Sequence, residues 1–195
     1  MDIDIIRHSL SHILAQSVQR LKWPQIQLWI WPSIEKGFYY DFDTKIVEED
    51  LKDIQKMMEK IIKENQEIIR RDTDVETAKK VLSEMMNQKY KLELLEDFVS
   101  QWETKISFYL NTIDAKAKDA MLKWMNTDYI SKYEELTKFF GSVLSGLEGK
   151  FVVFVDMCEW PHVSTTKEIN SDAFKLERIA WAYWKWDEKN IMMTR

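Results

Sequence analysis

The three histidines and the one cysteine of this chain fall in two short motifs. The first is His8-Ser9-Leu10-Ser11-His12, and the second is Cys158-Glu159-Trp160-Pro161-His162. On a helix, side chains at i and i+4 share a face, with Cβ atoms about 6 Å apart. His8 and His12 can then point at one small volume. Pro161 disfavours helix around it, so the second motif reads as a tight loop. Two chemistries suit such a group. Two His with Cys and His can form a tetrahedral zinc site. The same imidazoles can line a polar pocket that orients water and moves protons. An isolated pair of histidines four apart arises by chance about as often as it marks a site. Together, however, the two motifs use every imidazole and thiol in the chain.

These motifs need elements to hold them. Ile6, Leu10, Ile13, Leu14 and Val18 recur at helical spacing and predict an amphipathic helix over Ile3–Leu21, ended by Pro24. Strands are expected over Gln25–Pro32 and Phe38–Phe42, joined by a turn at Glu35-Lys36-Gly37. A second helix is expected over Glu48–Glu67, then a strand near Glu67–Asp72. A third helix spans Val75–Met86, capped by Asp74 or Thr73. Lys91–Phe98 reads as a short helix and Thr104–Leu110 as a strand. Phe151–Val155 is a buried strand leading into the cysteine loop, Cys158–Thr166. Ala173–Trp186 reads as two further strands. Asn111–Gly149 differs in character and reads as a helical insertion, with helices near Ala115–Ala120 and Tyr133–Phe140 and breaks at Gly141, Gly146 and Gly149. Helices and strands mix without regular alternation, which predicts an α+β fold.

Composition narrows the function. The chain has 195 residues and a formal net charge of −5. That balance argues against gripping nucleic acid mainly through phosphate contacts, but not against receiving a tRNA end held elsewhere. One cysteine allows no intrachain disulfide, the first residues lack a signal-peptide pattern, and no apolar run is long enough to span a bilayer. A cytoplasmic protein with no membrane partner is expected.

His8-Ser9-x-x-His12 and Asp156-Met157-Cys158-x-x-Pro161-His162 together resemble the editing domain of bacterial threonyl-tRNA synthetases, with the alanyl-tRNA synthetase editing domain as a more distant relative. Gly37-Phe38-Tyr39-Tyr40-Asp41-Phe42-Asp43, Tyr90-Lys91-Leu92-Glu93-Leu94-Leu95, Phe174-Lys175-Leu176 and Ala182-Tyr183-Trp184-Lys185-x-Asp187 agree with the threonyl family in order. The resemblance covers nearly the whole chain except 111–149. It implies a single editing domain over 1–195, a helix packed on a curved antiparallel sheet, with a cleft holding the four ligand-type residues. It also implies truncation before the class II catalytic and anticodon-binding domains, so that ATP binding and aminoacylation belong to the full-length protein only. The implied activity is hydrolysis of mischarged Ser-tRNA(Thr). The implied partners are the acceptor end of tRNA(Thr) and the rest of the synthetase in cis, in a homodimer.

By the same resemblance, His8, His12, Lys91, Cys158 and His162 form the catalytic group, Tyr40 and Asp156 line the serine pocket, and Trp31 and Trp160 sit beside it. Lys91 and Tyr40 are expected at the rim. Read without the resemblance, Lys91 is solvated surface, Tyr40 is core and Asp156 caps a turn. No metal is required, although alanyl-type relatives bind zinc with this spacing, which makes His8, His12, Cys158 and His162 the candidate ligands. Two other readings stand beside the editing domain in cis: a freestanding trans-editing deacylase, and an inactive tRNA-binding or structural module.

Where the threonyl family has glycine, this chain repeatedly has tryptophan: Trp29, Trp31, Trp160, Trp181 and Trp186. Trp102 is a further case, and Trp23 and Trp124 are candidates. Trp184 matches a family tryptophan. Tryptophan does not readily take the positive φ that glycine supplies. Returning eight tryptophans to glycine would give 4 + 8 = 12 Gly and 9 − 8 = 1 Trp, near the usual glycine share of about 7%. The expectation is a gene in which UGA encodes glycine. UGA codons at positions 29, 31, 160, 181 and 186 with UGG at 184 are the expected result. UGG at all six would end this reading and favour a divergent module with a blocked pocket.

Overall fold

Helix α1 covers Ile3–Lys22, with Asp4 in its first turn and Arg20 and Lys22 in its last. Those charges complement the helix dipole. The computed structural model describes residues 2–22, 26–29, 37–119 and 127–195, with the backbone alone at Trp186. An amphipathic helix normally gives its polar face to water. Here both faces are buried from His8 to Arg20, apart from the partly buried Leu14. The apolar stripe packs on helix α2, Leu51–Lys63, through Leu10, Ile13, Ile54, Met58 and Ile61. The polar face lies on a sheet, where hydrogen bonds replace water. The Gln16 amide donates to the Val153 carbonyl at 3.2 Å, Asn111 Nδ2 donates to Gln16 Oε1 at 3.3 Å, and the Tyr133 hydroxyl donates to Gln19 Oε1 at 3.1 Å.

Among the described residues two sheets form where one curved sheet is expected, and every strand pairing among them is antiparallel. One has three long strands, β3 (Glu67–Asp74), β4 (Lys105–Asp114) and β5 (Lys150–Met157), in the order β3-β4-β5. The other has β1 (Leu28–Trp29), β2 (Asp41–Phe42), β6 (Trp181–Tyr183) and β7 (Met192–Thr194), in the order β1-β2-β7-β6. Helices α3 (Val75–Lys80), α4 (Lys89–Ser100) and α5 (Thr127–Val143) complete the regular elements among the described residues.

The three-stranded sheet is covered on both faces. Because side chains alternate along a strand, Val153, Val155 and Met157 face a core built with α3, α4 and α5, while Phe154 and the following Cys158 face α1 and α2. That alternation aims the end of β5 at the histidines of α1.

Several boundaries differ from the sequence-based expectation. The second helix stops at Lys63, because Asn65 turns the chain at φ 52° and Glu67 already pairs with Thr112. Asp74 caps α3 by accepting from Thr77 N, as expected. The end of that helix widens into a π turn over Val81–Met85 that leads into α4. Residues 111–114 belong to the central strand β4, and Tyr129, Tyr133, Leu136 and Phe140 of α5 are buried in the core. Ala115–Ala117 is a short 3-10 turn, and residue 120 lies outside the described residues. Of the two strands expected over Ala173–Trp186, only Trp181–Tyr183 forms, and its partner is Met192–Thr194. Around Phe174 and Leu176 a side chain substitutes for a neighbouring strand: Gln55 donates to the Phe174 carbonyl and accepts from Leu176 N. The Glu35-Lys36 turn lies outside the described residues.

The tryptophans divide by environment. Trp102 follows α4 with φ 69° and is 91% exposed. Its N–H reaches the Val99 carbonyl, and Glu103 N reaches the Phe98 carbonyl. This paired closure is a Schellman motif whose left-handed position glycine ordinarily fills. Trp160 and Trp181 are also exposed. Trp29, by contrast, is buried against Trp184 with ring centroids 4.5 Å apart, in a cluster with Tyr90 and Met193. Trp23, Trp31 and Trp124 lie outside the described residues. At position 102 a glycine would relieve the left-handed strain without loss of packing. Trp102→Gly is expected to raise stability by about 1 kcal/mol in urea unfolding. A fall in stability would show that the indole contributes there.

Candidate functional site

Each side chain of the cluster reaches its place through a local rule. His8 and His12 project from one face of α1, with ring centroids 5.0 Å apart. Cys158 follows β5 directly, and its N–H donates to the Ser107 carbonyl at 3.0 Å, which prolongs the sheet by one residue. Pro161 then turns the loop so that His162 comes back over α1. The His162 ring centroid lies 4.4 Å from that of His8 and 4.1 Å from that of His12. His8 Nε2 is 3.1 Å from Cys158 Sγ. The donor atoms of His8, His12, Cys158 and His162 all lie within 4.8 Å of one another. The convergence expected from the two motifs is present.

A charged layer lies beside the four. Asp156, on β5, receives Lys91 Nζ on Oδ1 at 2.6 Å and the Tyr40 hydroxyl on Oδ2 at 2.7 Å. His12 Nε2 is 3.6 Å from Asp156 Oδ2. Lys91 Nζ also donates to the Met157 carbonyl at 3.3 Å and lies 5.6 Å from the centre of the Tyr40 ring. Lys91, Tyr40 and Asp156 are each only 1% exposed. Lys91 and Tyr40 are therefore not at a rim, as the sequence reading had them. They form the floor, because α4 enters the structure beside β1. There the Gln88 side chain accepts from Leu28 N and donates to the Ile26 carbonyl. Nor does Asp156 cap a turn, since it pairs opposite Tyr109 within the sheet.

Burial governs the protonation of every group here. It lowers His8 to about 4, helped by the nearby Lys91 charge. It holds His12 and His162 well below the ordinary imidazole value, with the neighbouring histidines adding to the effect. All three rings are neutral at pH 7. Burial pushes the Cys158 thiol up to about 12, so it is not an activated nucleophile. Burial also raises the Asp156 carboxyl and lowers the Lys91 ammonium, while their mutual contact opposes both shifts.

All three imidazoles keep buried nitrogens without a hydrogen-bond partner among the described residues: His8 Nδ1, both nitrogens of His12, and His162 Nε2. Such atoms are costly unless something meets them. The His3Cys donor set fits tetrahedral zinc, at about 2.0 Å from nitrogen and 2.3 Å from sulfur, and a metal would also deprotonate the thiol. A water held between the rings would meet the same nitrogens.

Some participants were not singled out from sequence. Tyr109 places its ring 4.3 Å from that of His162. Its position opposite Asp156 follows from strand register, which no single segment encodes. Ser9 lies inside the first motif and bonds to the His162 loop. Trp160 is 59% exposed, with its ring 6.5 Å from His8, and Trp31 lies outside the described residues. A groove along α1, lined by Ile6, Leu10, Phe38 and Phe174, contains none of the four cluster residues. Of the four side chains, His8, His12 and Cys158 are buried and His162 is half-buried. No helix among the described residues is long and apolar enough to cross a membrane.

Fold and site thus define an α+β domain with a buried three-histidine, one-cysteine centre over a lysine–aspartate pair. No protein-family profile matches the chain. Comparison with curated proteins is specific. The chain is 39% identical over 193 residues to the threonine--tRNA ligase of Bifidobacterium animalis subsp. lactis, covering 98% of this chain and 23% of that protein. It is 37% identical over 193 residues to that of Mycobacterium bovis, with the same two shares. It is 32% identical over 195 residues to that of Bdellovibrio bacteriovorus, covering 99% of this chain and 23% of that protein. The chain is homologous, over nearly its whole length, to a domain-sized portion of threonine--tRNA ligases. It spans 23% of the length of these relatives.

Proposed function

We propose that this domain is the proofreading part of a threonine--tRNA ligase and hydrolyses Ser-tRNA(Thr). The observation that carries the reading is the convergence of three neutral, partly unsatisfied imidazoles with Cys158 beside the Lys91–Asp156–Tyr40 group. Serine and threonine differ by one methyl, worth only about 1–3 kcal/mol to a single binding site. A second, smaller site can admit serine, exclude threonine and cleave the ester.

The chemistry follows from the groups present. A neutral imidazole accepts a proton from water, and the water oxygen bonds to the seryl carbonyl carbon. The ester C–O bond then breaks, and the ribose oxygen leaves with a proton, freeing serine and tRNA. In this reading Asp156 and Tyr40 line the serine pocket, and Lys91 balances the buried carboxylate. No metal is required by this scheme. A zinc ion held by His8, His12, Cys158 and His162 would supply a Lewis acid. The partner is the acceptor end of tRNA(Thr), with the rest of the synthetase in cis, in a cytoplasmic homodimer. Because Trp160 stands beside His8, the glycine reading of position 160 implies a more open pocket. Release of serine from Ser-tRNA(Thr) tests the proposal, and absence of release by both the Trp and the Gly forms would favour the inactive module.

A further inference from the structure

The Ser9 hydroxyl makes three contacts at once. Its oxygen is 2.9 Å from the Ile5 carbonyl, 3.0 Å from Val163 N and 3.2 Å from His162 Nδ1. A serine hydroxyl has one proton to donate and two lone pairs to accept with. The Val163 N–H can only donate, so it takes one lone pair. The Ile5 carbonyl can only accept, so it takes the proton. One lone pair is left for His162, which satisfies the contact only if Nδ1 carries the hydrogen. That leaves His162 Nε2 with a bare lone pair. This nitrogen is buried and without a partner among the described residues, in a ring packed against both His8 and His12.

The geometry points to Ser9 as the positioning residue that fixes His162 in its Nδ1–H tautomer and so delivers the Nε2 lone pair to the cluster as proton acceptor. Ser9 does not touch the substrate in this scheme. It acts through His162, and through Val163 it also anchors the loop that carries His162 back over α1. The acceptor role rests on the proofreading reading above, whereas the tautomer assignment rests on the hydrogen bonds alone. Ring orientation set by an outer hydrogen bond is how such sites ordinarily control which nitrogen is available.

The test is long-range proton–nitrogen NMR of the 15N-histidine-labelled chain at pH 8. His162 should show a protonated Nδ1 and a pyridine-type Nε2. A protonated Nε2 would overturn the assignment in the unaltered protein, before any variant is made. In Ser9→Ala, the His162 signals should move to a mixture of tautomers, and kcat for Ser-tRNA(Thr) hydrolysis should fall about 10- to 100-fold with KM little changed. An unchanged tautomer and unchanged kcat would overturn the positioning role. A wild-type chain with the Nδ1–H tautomer but no hydrolysis would sink the proofreading reading and leave the tautomer assignment standing.

Discussion

Lys91→Ala should destabilise the domain by about 3–5 kcal/mol, the usual cost of removing one partner from a buried ion pair. The lysine is inaccessible, 2.6 Å from Asp156, and bonded to the Met157 carbonyl. Removing it leaves a carboxylate in the interior that keeps the Tyr40 hydroxyl, the Met157 N–H and the more distant His12 but no cation in contact. A lysine at a rim, by contrast, would be replaced with little effect on folding. Urea unfolding followed by tryptophan fluorescence gives the number. A loss below about 1 kcal/mol would mean that Lys91 behaves as surface and that the pair is not formed in solution. Lost activity in this variant therefore does not isolate a chemical role.

His8→Ala is the cleaner probe of the reaction and should lower the rate of Ser-tRNA(Thr) hydrolysis by about 10²- to 10⁴-fold, the range for losing a member of an acid–base group. His8 is buried, with Nε2 3.1 Å from Cys158 Sγ and its ring packed against those of His12 and His162. The same residue gives a signature in pH. Its folded-state value is lowered to about 4, against about 6.5 in an unfolded chain. Between these values the unfolded state binds more protons, so stability declines as pH falls from about 6.5 toward 4. Removing the imidazole should flatten that decline. Unchanged hydrolysis together with an unchanged acid profile would remove His8 from the site.

Much of the site could be read from the sequence because its chemistry is concentrated. Histidine and cysteine occur nowhere else in the chain, and the i, i+4 spacing with the proline-turned loop gave the convergence seen in the rings. The long elements were also readable: α1, α2, β3, β4 and β5 follow from periodicity and from the Asp74 cap. What the sequence hid was burial. Lys91 looks like surface in any linear reading, and only the packing of α4 beside β1 puts it on the floor of the site. The polar face of α1 likewise looks solvated, until Asn111 and Val153 on the sheet and Tyr133 of α5 meet it. The irregular stretch around Phe174 escaped because one side chain, Gln55, satisfies its backbone in place of a strand.

The most direct measurement is the pair of first-order rates at which the purified domain deacylates Ser-tRNA(Thr) and Thr-tRNA(Thr), measured side by side. It should be made on the chain as printed and on the form carrying Trp31→Gly and Trp160→Gly. Proofreading predicts that the glycine form cleaves the seryl ester faster than the threonyl ester by roughly 10- to 200-fold, the range that one methyl supports. Equal cleavage of the two esters, or no cleavage by either form, would contradict it.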